Sequence, residues 1–104
     1  FCRMASQPMA VHREAIVVDA SPPLLDLLGY AEAEMLGLGT MALIHGVHQV
    51  PWRIEVPTEF VAALAHKDGH AIPGVLFCYP MSVDGARYVI SIFRPSKPSA
   101  HEQT

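Results

Sequence analysis

Ser21-Pro22-Pro23-Leu24-Leu25-Asp26-Leu27-Leu28-Gly29-Tyr30 is the stretch whose reading decides the fold. A serine before two prolines is a helix start. Its hydroxyl accepts from an amide that the first turn leaves orphaned, and proline loses nothing there because its missing N–H would have had no partner. Leu24, Leu25, Leu27 and Leu28 follow at helical spacing, and Gly29 ends the run as a left-handed cap. The spacing predicts a short amphipathic helix that must lay its leucines on something apolar.

Working outward, Met9 to His12 and Ala15 to Asp19 are rich in β-branched and apolar residues and flank a polar Arg13-Glu14 turn, which predicts an antiparallel hairpin. Residues 1–8 form a lead-in. On the other side, Ala31 to Leu36 predicts a second short helix closed by Gly37. Thr40 caps a third, through Met41-Ala42-Leu43-Ile44 to Gly46. Trp52 to Val56 alternates between Pro51 and Pro57. Glu59 to His66 fits a strand or a short helix, with strand preferred. Lys67-Asp68-Gly69-His70 is a tight turn, because Asp-Gly supplies the positive φ that hairpins require. Ile72 to Tyr79 and Arg87 to Phe93 then read as strands joined at Asp84-Gly85. Ser96 to Thr104 has the polar composition of a linker. The expected fold class is α+β, a five-stranded antiparallel sheet with short helices packed on one face.

A chain of 104 residues makes one small domain, and its 51% hydrophobic content is enough to form a core. The charged fraction of 16% is low, which implies apolar surface covered by something outside the domain. A net charge of −3, with Lys and Arg scattered from Arg3 to Lys97, leaves no basic stripe for direct nucleic-acid contact. No apolar run approaches the ~18 residues that cross a bilayer. Cys2 and Cys78 are too few for a disulfide framework. They read as free thiols in a reducing cytoplasm, with a bridge left open. The Phe1-Cys2-Arg3 start reads as the boundary of a piece of a longer protein.

The ordered motifs resemble the PAS sensory family. The Ser21 to Tyr30 run is similar to the PAS stretch that ends in Gly-Tyr, and Glu34-Met35-Leu36-Gly37 to the close of the next helix. Lys67-Asp68-Gly69 and Asp84-Gly85 resemble the family's hairpin turns, and Tyr88-Val89-Ile90-Ser91-Ile92 its last strand. The resemblance runs from Met9 to Arg94, and the domain is expected over residues 9–95, with 96–104 leading to an output domain. It departs from the family at Ser21, where Asn is frequent, and at Arg94-Pro95-Ser96, where an Asp-Ile-Thr-like close is frequent. The His45 to Thr58 segment is also short.

Each chemical candidate has a plainer rival. His45 and His48 share a helical spacing, and haem-binding PAS domains take an axial histidine from this region. The alternative is two polar residues at a helix end, and no cofactor is expected. Two histidines without a third ligand make no metal site. His66 and His70 flank a turn and are read as solvated. Light-sensing relatives carry a cysteine in the third helix. Gly39-Thr40-Met41-Ala42-Leu43-Ile44 has none, so a flavin photoadduct is not expected. Ser21 is a cap rather than a nucleophile, no catalytic constellation is present, and no enzyme is expected.

Alternation puts Gly74, Leu76 and Cys78 on one face of their strand. The resemblance makes that the cavity face and turns Ile90 and Ile92 inward. The expected pocket is lined by Leu27, Met41, Ile44, Trp52, Leu76, Cys78, Ile90 and Ile92, with His45 and Ser91 as polar anchors. Phe77, Tyr79, Val89 and Phe93 are assigned to an apolar outer face that pairs with a second copy. The expected function is a sensory domain of a transcriptional regulator, histidine kinase or cyclase. It binds a small molecule or relays a conformational change; the alternative is a ligand-free dimerisation module.

Overall fold

A computed structural model describes residues 4–44 and 54–96. The first hairpin pairs β1 (Met9–Arg13) with β2 (Ile16–Ala20). Its turn is unusual, because Glu14 and Ala15 both take positive φ, 50° and 65°, without a glycine. Ser21 then starts α1 (Pro22–Leu28), with Leu24 N–H donating to its hydroxyl at 3.3 Å, and Gly29 closes the helix at φ 79°. Leu24 and Leu28, one turn apart, are the buried pair of this helix.

The second helix, α2 (Glu32–Met35), is one turn long. The Glu34 carboxylate accepts from the Ala31 N–H at 2.9 Å and satisfies an orphan donor. The third expected helix is a 3-10 turn, Thr40–Leu43. Three strands complete the sheet: β3 (Thr58–Ala65), β4 (Ala71–Val83) and β5 (Ala86–Pro95). The ambiguous Glu59 to His66 segment is therefore strand. All pairings are antiparallel, in the order β2-β1-β5-β4-β3.

β4 runs four residues past its expected end, through Pro80, and the reason is local. Proline cannot donate to a ladder, so it needs a side with no neighbour. Beyond Cys78, which pairs with Thr58, β3 has stopped. Pro73 uses the opposite edge. Its carbonyl accepts the Ser96 N–H at 2.9 Å, so its missing donor points past the end of β5. The two prolines are seven positions apart, an odd number, and so aim their polar edges to opposite sides.

The core lies between the inner sheet face and the helices. Leu28 and Met35 are fully buried there, beside Val17, Leu24, Leu76 and Phe93. Fully burying one such side chain contributes about 1.5–3 kcal/mol. Ser21 and Ser91 are the buried polar residues among those described, and Ser21 has no exposed surface. Its hydroxyl donates to the Gln7 carbonyl at 2.8 Å and accepts from the Met9 N–H at 2.9 Å as well as from Leu24. One donor and two acceptor sites is the full capacity of a hydroxyl. The expected cap thus also ties the start of β1 to the start of α1. No helix among the described residues is long and apolar enough to cross a membrane.

Candidate functional site

The inner sheet face does not close completely on the helices. A cavity of about 500 Å³ lies between them, within the range of small-molecule sites. Leu76 and Phe93 line it from the sheet, Leu24 and Leu28 from α1, and Leu43 and Ile44 from the 3-10 turn. Across this apolar lining runs a short polar chain. His12 Nε2 lies 3.0 Å from Ser91 Oγ, and Ser91 Oγ lies 3.5 Å from Cys78 Sγ. Register explains the meeting: Cys78 pairs with Ser91 across β4 and β5, and paired residues share a face. His12 follows Ala10 on the inner side of β1, and Ala10 pairs with Ser91.

Burial favours the uncharged forms of the two titratable groups in this polar chain. Burial holds the His12 imidazole below its ordinary value, so the uncharged ring is favoured. Burial pushes the Cys78 thiol up, and the Ser91 hydrogen bond only partly offsets it. A thiol kept protonated is a poor nucleophile and a poor metal ligand. The chain can donate or accept a hydrogen bond to a bound molecule, and it offers no charge to one. Arg13, Glu14 and Arg87 stand at the cavity's lining near the two tight turns.

Of the residues assigned to a pocket from the sequence, Met41, Ile44, Leu76, Cys78 and Ser91 stand along this cavity, Met41 with most of its surface exposed. Leu27 does not line it, because the helix turns Leu24 and Leu28 to the sheet instead. Ile90 and Ile92 were expected to face inward, and the register overturns this. They pair with Tyr79 and Phe77, and so share the outer face. Val89 and Phe93 were expected outside. They alternate with Ile90 and Ile92, line the cavity, and Phe93 is only 2% exposed. His45, His48 and Trp52 lie outside the described residues. Sequence reading missed His12, whose signal was its two-residue offset from Ala10 on a strand. Among the described residues His12 is the imidazole that reaches the cavity.

The outer face is apolar, as expected, with a corrected membership of Phe77, Tyr79, Ile90 and Ile92. Val61 extends it on β3, 79% exposed, opposite Val75. Cations shield part of it, with Arg94 over the Phe77 ring at 5.1 Å and Arg13 over Tyr88 at 5.7 Å. His66 also departs from expectation. Rather than standing in solvent, its ring lies against Gly29, where an added Cβ would fall 2.6 Å from the ring carbon Cε1.

No protein-family model and no curated protein sequence matches the chain. Solved structures do. The PAS domain of an HTR-like protein from Haloarcula marismortui superimposes with a TM-score of 0.77, covering 91% of this chain and 85% of its own, at 13% identity. A PAS domain from a two-component sensor histidine kinase gives 0.78, covering 90% and 88%, at 10% identity. The chain has the PAS fold. A light-oxygen-voltage domain studied with a flavin analogue gives 0.70, covering 95% and 84%, at 20% identity. Gly39 to Ile44 carries no thiol, and Cys78 sits in the sheet with its thiol committed to Ser91.

Proposed function

We propose that this PAS domain is a non-catalytic sensor for a small, largely apolar, uncharged molecule carrying one hydrogen-bonding group. One observation carries the reading: an apolar cavity of about 500 Å³ crossed by the neutral His12–Ser91–Cys78 chain. An ion beside this chain would lose its hydration without a counter-charge there, since the charged lining residues Arg13, Glu14 and Arg87 stand near the two tight turns. A neutral ligand would exchange its polar contact with water for one with His12 or Ser91. The signal would leave through the outer sheet face, which we infer pairs with a second copy, to an attached regulatory or catalytic domain. A ligand passes a signal only by favouring one of two arrangements of sheet and partner. The apolar outer face by itself also supports the second reading, a ligand-free dimerisation module.

Native mass spectrometry of the purified chain, with its absorption spectrum, separates these. A bound mass that is lost in Ser91→Val and His12→Phe supports the sensor. A dimer at the sequence mass, with no ligand stabilising it in a thermal screen of neutral compounds, leaves the dimerisation module. Ile90→Lys should convert the dimer to monomer in sedimentation. A wild-type monomer at high concentration would remove the pairing from either reading.

A further inference from the structure

The turn between β3 and β4 gathers three potential metal ligands on alternate residues, His66, Asp68 and His70. The hairpin holds them in place. His66 N–H donates to the His70 carbonyl at 2.9 Å, Gly69 N–H to the His66 carbonyl at 2.8 Å, and His70 N–H to Asp68 Oδ1 at 3.0 Å. Both imidazoles bring Nδ1 to that same carboxylate oxygen, His66 at 3.2 Å and His70 at 2.5 Å. The three ligand atoms all lie within 4.8 Å of one another.

The hydrogen bonding around His66 leaves its Nδ1 as an acceptor. The Asp68 N–H donates to the one lone pair of His66 Nδ1 at 3.1 Å, a hydrogen bond that a bound ion would replace. A carboxylate oxygen stands 3.2 Å from it. Donor atoms around a tetrahedral zinc with ~2.0–2.1 Å bonds are about 3.3 Å apart, close to the 3.2 Å between His66 and Asp68, while the 2.5 Å contact of His70 with Asp68 would open. Lys67, the nearest cation in sequence, is drawn aside: its Nζ is 2.6 Å from Glu34 Oε2 and leaves the cluster free.

We propose that His66, Asp68 and His70 form a binding site for a zinc-type divalent metal ion. Two imidazoles and one carboxylate suit zinc or nickel better than calcium or magnesium, which favour oxygen donors. The His66 ring is the fixed one, packed on Gly29, and its Nδ1 exchanges the Asp68 N–H for the ion. His70 is the adjustable one. Its ring stacks on His66 at 4.5 Å between centroids, and it must turn so that its lone pair converges on the ion. Three protein ligands leave a position for water or a partner's side chain. The ion would stiffen a hairpin that already docks on the helices, through Lys67 N–H on the Leu28 carbonyl at 2.8 Å.

The test is calorimetric titration of the tag-free chain with zinc chloride in a non-chelating buffer, with cobalt absorption as a second readout. We expect one ion per chain, bound more than about 10-fold more weakly by His70→Ala and by Asp68→Asn, since even the loss of a ligand's supporting partner costs that much. A His45→Ala, His48→Ala double variant should bind as the wild type does. NMR of the unsubstituted protein supplies the control against misfolding, since zinc should shift the ring protons of His66 and His70. The proposal is overturned if the wild type shows no saturable binding up to millimolar zinc. It is equally overturned if binding survives His70→Ala and Asp68→Asn, or is lost in the His45, His48 variant.

Discussion

Replacing Ser21 by alanine should cost far more than the loss of a surface serine. Its hydroxyl is fully buried and makes three hydrogen bonds, to the Gln7 carbonyl, the Met9 N–H and the Leu24 N–H. These do not count equally. Leu24 N–H keeps a backbone partner, the Ser21 carbonyl at 3.0 Å, so the helix cap proper contributes about 1 kcal/mol. Gln7 is exposed, and its carbonyl can turn to water. The Met9 N–H is the donor left behind beside the core, at a cost of about 1–3 kcal/mol. The sum is about 2–4 kcal/mol, or a fall in Tm of about 10–25 °C for a domain of this size. Urea unfolding followed by far-ultraviolet circular dichroism reads it directly, provided the slope is unchanged between variants. A loss below about 1 kcal/mol at equal slope would refute the reasoning. It would mean that Ser21 acts as a cap alone and does not join β1 to α1.

Three further changes have defined outcomes. Gly74→Ala places a Cβ against the Arg94 carbonyl and 2.6 Å from Phe93 Cζ, with backbone on one side unable to retreat; thermal unfolding should show a loss of about 1–3 kcal/mol. Glu14→Asn with Ala15→Gly puts Asn-Gly, the preferred pair for two positive φ values, where φ is already 50° and 65°. A gain of about 1 kcal/mol in urea is expected, and no gain would mean the turn is not strained. The pH dependence concerns His12, whose folded ring resists protonation because it is buried. As pH falls through the unfolded value of 6.5, the unfolded chain takes up a proton that the folded chain does not, so stability drops. The drop ends once the folded ring also protonates. His12→Gln should flatten the stability profile between about pH 7 and 5.5 relative to the wild type, and parallel profiles would show that His12 plays no part in it.

Much of the architecture was legible because it rests on local chemistry. The Ser-Pro-Pro start, the Gly29 cap and the Asp84-Gly85 turn each depend on atoms within a few residues, and each stands where its motif lies. The β5 faces were legible too, had the turn been used to count. A two-residue loop at Asp84-Gly85 pairs Val83 with Ala86 and hence Cys78 with Ser91. Once Cys78 faces inward, Ser91 and Phe93 must follow, while Ile90 and Ile92 go outside. Family likeness placed them one residue out, and a one-residue slip exchanges every side chain between the faces.

The site itself is a different matter. The sequence by itself determined that a serine and two prolines start a helix, that several glycines turn the chain where they do, and that apolar strands must be covered on both faces. Tertiary structure decided that Ser21 reaches back to Gln7 and Met9, twelve to fourteen residues away in the chain. It also decided that His12 meets Ser91 across 79 residues. The physical reason is that turns and caps are short-range hydrogen-bonding problems with few solutions. A polar contact inside a cavity exists only after strand register has chosen which side chains share a face.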